Sequence, residues 1–331
     1  MEEAEGSSGF KYCDNLGDLL EMTAVTRLYP PVPVKKWYIA DSDLTVQAVL
    51  EVLELYHISS LPVRNVSTGK CAGFIDSLDI LGYLISVCTP SVEAGATLTD
   101  LDKAFEKFST KGISELCDFS KRNPFVPIPI NQNLYYMLEN IKRYATLAVH
   151  RVPIVSLDEQ DPKIMALVSQ SDIAAYLAKH ISVLGPRGQL PVRDHFRAFT
   201  KVVSVPPHSK ALDAFALMWS KGLGGVAVID SQKRLVANLS ATDLECLFRK
   251  QFFRLFMPVV DYIKAVYADK NEIMTPPLSV TPETTLETLI LKFAGTRVHR
   301  LYVVDGSGVL CGVITLTDLM NLIVTEWGLD Q

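Results

Sequence analysis

The chain has 331 residues, 48% of them hydrophobic, and a net charge of −5 at neutral pH. That is enough to bury the core of about two ordinary domains. An acidic balance with no Lys/Arg cluster interleaved with aromatics argues against a nucleic-acid backbone as partner, so any anion it binds must be small and met by a few local cations. Six cysteines (Cys13, Cys71, Cys88, Cys117, Cys246, Cys311) show no C-x-x-C spacing, which argues against a zinc site or a disulfide framework. A cytoplasmic or nuclear protein is expected. The opening "MEEAEGSSGF" is unlike a signal peptide, and no apolar run approaches the roughly 18 residues that span a membrane.

In chain order, the first periodic stretch is Val46, Val49, Leu50 and Leu53, a helical stripe at 3.6 spacing. The strand-like "SLPV" from Ser60, the turn-rich "STGK" and the run "CAGFIDSLDILGYL" follow. The segment from Thr89 to Asn123 reads as a connector, with an amphipathic helix around Leu101 to Phe108. A second set then begins: the stripe Leu134, Met137, Leu138, Ile141, the strand "RVPIV" from Arg151, the turn "DEQDPK", and "IMALVSQSDIAAYL". A third has Leu212, Phe215, Met218 and Trp219, then "GVAVI" from Gly225, "SQK" and "LVANLSATDLECLF". The stretch "FFRLFMPVVDYIKAVY" (252–267) reads as a packed helical connector, with an exposed docking surface as the alternative. The fourth set is Leu286, Leu289, Ile290, Phe293, the strand "RLYVV" from Arg300, "DGSG" and "LCGVITLTDLMNLI".

These four sets are one repeat: strand, helix, strand, strand, helix, an α/β (α+β) unit. Each carries a small residue (Gly73, Ala166, Ala237, Gly312) and, further on, an aspartate: Asp79, Asp172, Asp243, Asp318. A unit of this size buries too small a share of its surface to stand alone, so units are expected to pair sheet to sheet, giving two modules.

Four such repeats, with "VHRVPIV" (149–155) and "VHRLYVV" (298–304) in two of them and "ISELCDFSKRNPFVPI" ahead of the second, resemble four tandem CBS motifs, the arrangement of the γ subunits of AMP-activated and SNF1-related protein kinases. The resemblance covers about Val34 to Thr325. It implies two Bateman modules in a disc-like assembly. It divides the chain into an N-terminal extension (1–33), motif 1 (34–88), a linker (89–123), motif 2 (124–181), motif 3 (192–250), a helical connector (251–271) and motif 4 (272–326). It further implies a non-catalytic regulatory subunit, with AMP, ADP or ATP as ligand and no cofactor, assembled with kinase α-type and β-type subunits.

Each residue has a bland reading beside the functional one. The aspartates of Ser169-x-x-Asp172, Ser240-x-x-Asp243 and Thr315-x-x-Asp318 match helix capping boxes. A carboxylate there can also accept two hydrogen bonds from vicinal ribose hydroxyls, and the resemblance assigns that role to Asp318, Asp243, Asp172 and Asp79. Unit 1 departs from the pattern: Asp76 stands where the others have Ser or Thr, and its charge would repel phosphate. His-Arg at a strand edge is ordinarily solvated, but His150-Arg151 and His299-Arg300 recur at one repeat position where the other units have Ser59-Ser60 and Gly224-Gly225. Phosphate needs fixed donors of this kind. Thr315, Thr317, Ser240, Thr242 and Ser169 are expected to line the cleft, and Thr200 and Val202 of "FTKVVSV" fall about where the family holds the base. No P-loop, zincin or dinucleotide motif is present; His57, His180, His195 and His208 lack ligand spacing. Three functions remain open: nucleotide sensor of a kinase complex, assembly scaffold with little nucleotide response, or stand-alone sensor of another adenosyl ligand such as S-adenosylmethionine.

Overall fold

The computed structural model describes residues 15–29, 38–93, 98–144, 149–158, 160–196, 199, 201–246 and 251–327. After α1 (Leu16–Met22), unit 1 is β1 (Ala40–Asp41), α2 (Val46–Tyr56), β2 (Ser60–Arg64), β3 (Cys71–Asp76) and α3 (Ser77–Glu93). Then comes α4 (Leu98–Ser109), inside the segment read as a connector. Unit 2 is β4 (Ile128–Pro129), α5 (Leu134–Arg143), β5 (Arg151–Val155), β6 (Ile164–Ser169) and α6 (Gln170–Lys179), and a short α7 (Val192–His195) follows. Unit 3 is β7 (Ser204–Val205), α8 (Ala211–Lys221), β8 (Gly225–Ile229) and β9 (Leu235–Ser240); α9 (Val259–Asp269) lies in the second connector. Unit 4 is β10 (Ser279–Val280), α10 (Leu286–Thr296), β11 (Arg300–Val304), β12 (Leu310–Thr315) and α11 (Leu316–Trp327).

Units 1, 2 and 4 fold as the repeat predicts, and all four have the same three-stranded sheet. A short first strand runs parallel to the second, which pairs antiparallel with the third. The register slips at the same place in all four: Val63/Arg64, Ile154/Val155, Val228/Ile229 and Val303/Val304. Helix starts follow from capping: the side chains of Thr45, Asn133 and Thr285 accept the amides of Ala48, Tyr136 and Thr288. Unit 3 differs at its end. Where a second helix was expected, Ala241–Cys246 forms a 3-10 turn, and the Asp243 carbonyl accepts the Tyr262 hydroxyl.

Packing decides the assembly. The helical stripes bury into two hydrophobic cores, one joining unit 1 to unit 3 and one joining unit 2 to unit 4. Sheets meet the other way. Units 3 and 4 share the Arg234–Val309 bridge and the Tyr302 hydroxyl bond to Asn238 Oδ1 (2.5 Å), and unit 2 reaches unit 1 through Arg151. The four units therefore close a ring in the order 1–2–4–3, each touching two neighbours. Small residues at the shared position allow this closeness: a Cβ at Gly312 would overlap Phe199, and one at Gly73 would press on the Cys117 thiol. Most of the second connector is core, with Phe252, Leu255, Val259, Tyr262, Ile263 and Val266 all buried, while Phe253 stays exposed. Among the described residues, no helix is long and apolar enough to cross a membrane.

Candidate ligand-binding site

All four aspartates do the capping job. One carboxylate oxygen of each accepts the main-chain amide three residues earlier: Asp79 from Asp76, Asp172 from Ser169, Asp243 from Ser240 and Asp318 from Thr315, at 2.7–3.0 Å. Function is decided by the second oxygen. In Asp79 it accepts the Ser120 amide at 2.7 Å, and the residue is wholly buried. Ribose contact by Asp79 is thus a correction to the sequence expectation: both oxygens hold main chain, and no ligand can reach them. In Asp172 it lies 3.8 Å from Arg297. Asp243 lines a cavity of about 340 Å³ with Arg297 and Tyr267, and burial lifts its pKa to about 6. Asp318 lines a larger central cavity of about 360 Å³.

The Asp79 carboxyl is raised to about 8, by burial first and by the charge of Asp76 second. The folded chain therefore holds a proton that the unfolded chain releases. The associated stability is complete below the ordinary value of 3.8 and is lost as pH rises through about 8. Urea midpoints are expected to fall between about pH 6.5 and about pH 8.5, and Asp79→Asn is expected to flatten that slope. Parallel slopes in the two proteins would show that this carboxyl is not the source.

The basic pairs separate in the same way. His150 and His299 come from units 2 and 4, and their rings stack with centroids 6.2 Å apart, 11° from parallel, at the wall of the central cavity. Arg300 lines both cavities. Its guanidinium occupies the space that a side chain at Gly225 would fill: a Cβ there would fall on Arg300 Nη1. In the matching place of unit 1 stand Ser59 and Ser60, and Arg151 is bound to them, Nη1 to the Ser60 carbonyl at 2.7 Å and Nη2 to Ser59 Oγ at 3.4 Å. Arg151 is not among the cavity-lining residues, which corrects its expected phosphate role: a carbonyl acceptor in unit 1 holds its fork.

The central cavity takes residues from all four units. Thr315, Thr317, Ser240, Thr242 and Val202 line it as expected, Ser169 does not, and Thr200 lies outside the described residues. The Ser169 hydroxyl is bonded to Asp172 (2.6 Å). Sequence reading missed Lys201, Arg122, Asn123, Gln170 and Asn321 on this wall. Gln170, almost fully buried, bonds the Val149 carbonyl and the Thr317 hydroxyl, tying unit 2 to unit 4 beside the histidines. Its only signal was its place beside the small polar residues of the repeat. Burial and the charge of Arg300 push His150 down from 6.5; burial, His150 and Arg300 do the same for His299. Both residues are also exposed at the cavity wall, which tempers the effect and leaves its direction. The site thus joins a cationic wall, neutral imidazoles that can become charged, and the Asp318 acceptor. His195 is structural, bridging Glu326 (2.9 Å) and the Arg187 carbonyl (3.0 Å).

Four sheet-and-helix units closed about one cavity have the architecture of tandem CBS motifs. Residues 270–325 match the CBS domain model. Protein SDS23 of Kluyveromyces lactis is 24% identical over 324 residues, covering 88% of this chain and 61% of that protein. An Arabidopsis thaliana SNF1-related protein kinase regulatory subunit gamma-1-like protein is 26% identical over 243 residues, 67% of this chain and 51% of that one. The chain thus spans about half to three-fifths of the length of these relatives. Among solved structures, protein MJ1225 of Methanocaldococcus jannaschii, considered an archaeal homolog of g-AMPK, superposes with a TM-score of 0.65 at 18% identity, over 90% of this chain and 99% of that one. At that identity the likeness concerns the fold.

Proposed function

We propose that the central cavity binds an adenine nucleotide and that the chain is a regulatory γ-type subunit of a SNF1/AMPK-like kinase complex, working in the cytoplasm or nucleus. The observation that carries this reading is the convergence of His150, His299, Arg300 and Asp318, from units 2 and 4, on one cavity of about 360 Å³. That volume lies at the small end of ligand sites, suited to one nucleotide. The cations hold the phosphates while Asp318 accepts the ribose hydroxyls. AMP, ADP and ATP compete for the cavity and differ in the charge they bring to the imidazoles. Since the cavity joins all four units, a ligand that binds two arrangements of the ring unequally shifts the surface presented to a kinase. Titration calorimetry with each nucleotide, and mass spectrometry of ligand carried through purification, test the binding. Co-purification of α-type and β-type subunits tests the assembly.

Binding is expected to take up protons. In the free chain the depressed histidines are neutral at pH 7. A phosphate beside them raises their pKa above the free values of about 4 and about 3, so affinity grows as pH falls toward those values. Calorimetry in buffers of different ionisation enthalpy reads the uptake directly, and buffer-independent heats would refute it.

A second reading is favoured by Arg151 and Asp79, which are committed to internal bonds. It makes the chain an assembly scaffold with little nucleotide response. Kinase activity unchanged by AMP, ADP or ATP in the intact complex would select it.

A further inference from the structure

The second cavity, of about 340 Å³, is built as the counterpart of the central one. Ser240, Thr242 and Asp243 of unit 3 line it as Thr315, Thr317 and Asp318 of unit 4 line the central cavity. Pro277 and Leu278 stand where that cavity has Val202 and Val203. The correspondence runs residue for residue, since β8 pairs with β9 in the same register as β11 with β12. One position differs in kind. Five residues before the aspartate, unit 4 sets Val313 in the central cavity, whereas unit 3 sets Asn238 in the second.

The asparagine is held in one orientation. Tyr302, only 2% exposed, donates its hydroxyl proton to Asn238 Oδ1 at 2.5 Å. The Arg300 guanidinium reaches the same hydroxyl, and because a guanidinium can only donate, the tyrosine proton is left for the amide oxygen. Unit 4 therefore fixes which end of Asn238 is free. Its Nδ2 has no hydrogen-bond acceptor among the described residues, and it is not one of the enclosed unpartnered atoms. Its two N–H groups are thus open on the cavity that Asn238 lines. Nearby, one Asp243 oxygen accepts the Ser240 amide and the other has no hydrogen bond in the protein, while Arg297 and Arg300 supply positive charge.

We propose that the second cavity is a site for a 6-oxopurine nucleotide, one whose base is guanine or hypoxanthine, and that Asn238 reads the base. The placing of the ligand, ribose on Asp243 and phosphate toward Arg297 and Arg300, follows the matching groups of the central cavity, so the inference rests on that cavity being a nucleotide site. An asparagine with both ends free pairs with adenine, its oxygen accepting from the N6 amino group and its nitrogen donating to N7. Asn238 has given its oxygen to Tyr302. Its remaining donors suit the adjoining O6 and N7 acceptors of guanine and oppose the amino hydrogens of adenine. Val313 has no polar atom at this place, so the central cavity carries no such bias against adenine. The two cavities therefore divide the purines between them.

IMP is the probe, because its base carries an oxygen where that of AMP carries the amino group, and titration calorimetry on the full chain reads both. In Asp318→Ala, which disables the central cavity, IMP should bind at least about tenfold more tightly than AMP. GMP should follow IMP. Adding Asn238→Val, which gives the second cavity the residue of the first, should erase that preference, and adding Asp243→Ala should remove IMP binding. Thermal melting checks that each variant folds. Equal affinities for IMP and AMP in Asp318→Ala, no IMP binding there, or a preference that survives Asn238→Val would overturn the proposal. The central cavity is judged apart, by AMP binding to Asp243→Ala: its absence would overturn the nucleotide reading of that cavity, whatever IMP does in Asp318→Ala.

Discussion

Arg300→Ala is expected to weaken AMP binding on the order of 100-fold while leaving the fold intact. The guanidinium sits at the wall shared by the two cavities, beside both imidazoles. A charge-assisted hydrogen bond contributes about 1.5–3 kcal/mol, and the net loss of about one such bond to phosphate sets the size of the effect. Gly225→Ala should act through the same group. Its methyl would fall on Nη1 and force the fork away from its seat, so affinity should drop toward the Arg300→Ala value although no charge is removed. Arg151→Ala should behave differently, because that guanidinium is held by the Ser60 carbonyl and is not itself among the residues lining the cavity. Its binding loss should be much smaller. Calorimetry on the three variants ranks them, and equal losses for Arg151→Ala and Arg300→Ala would contradict this asymmetry.

Phe215→Ala is expected to lower stability by about 3–5 kcal/mol, the usual cost of emptying a buried aromatic site. Phe215 is fully buried in the core joining unit 1 to unit 3. It packs edge to face on Tyr262, with centroids 5.5 Å apart, and the Tyr262 hydroxyl holds the Asp243 carbonyl at 2.9 Å. The cavity left behind therefore reaches the connector and the end of β9 together. The urea midpoint should fall with little change in slope. A loss below about 1 kcal/mol would mean that the site collapses freely and that this core does not join the two units.

The repeat itself was legible in the sequence, because strand alternation, helical stripes and turn residues recur four times and each signal is local. The small residues Gly73 and Gly312 were legible as a pattern, though only the packing supplies their reason, the close approach of Cys117 and Phe199. His150, His299, Arg300 and Asp318 were legible as a set because repetition singles them out. What repetition could not convey is how equivalent residues diverge. Asp79 and Asp318 hold the same helix start, yet one second oxygen is taken by Ser120 and the other lines the cavity. Arg151 and Arg300 leave the same strand position, and the difference between Ser60 and Gly225 across the sheet interface decides where each points. Nor does a one-unit pattern reveal that helices join unit 1 to 3 and unit 2 to 4 while sheets join 1 to 2 and 3 to 4. Asn123 escaped notice for the same reason: it belongs to no repeat, and only tertiary folding brings it to the cavity.

Titration of AMP into the full chain, wild type against an Arg300→Ala, Asp318→Ala double variant, bears most directly on whether cations and carboxylate grip one ligand in one cavity. Saturable binding by the wild type and none by a folded double variant is the expected result. Unaltered binding in the double variant, or none in the wild type, would contradict it.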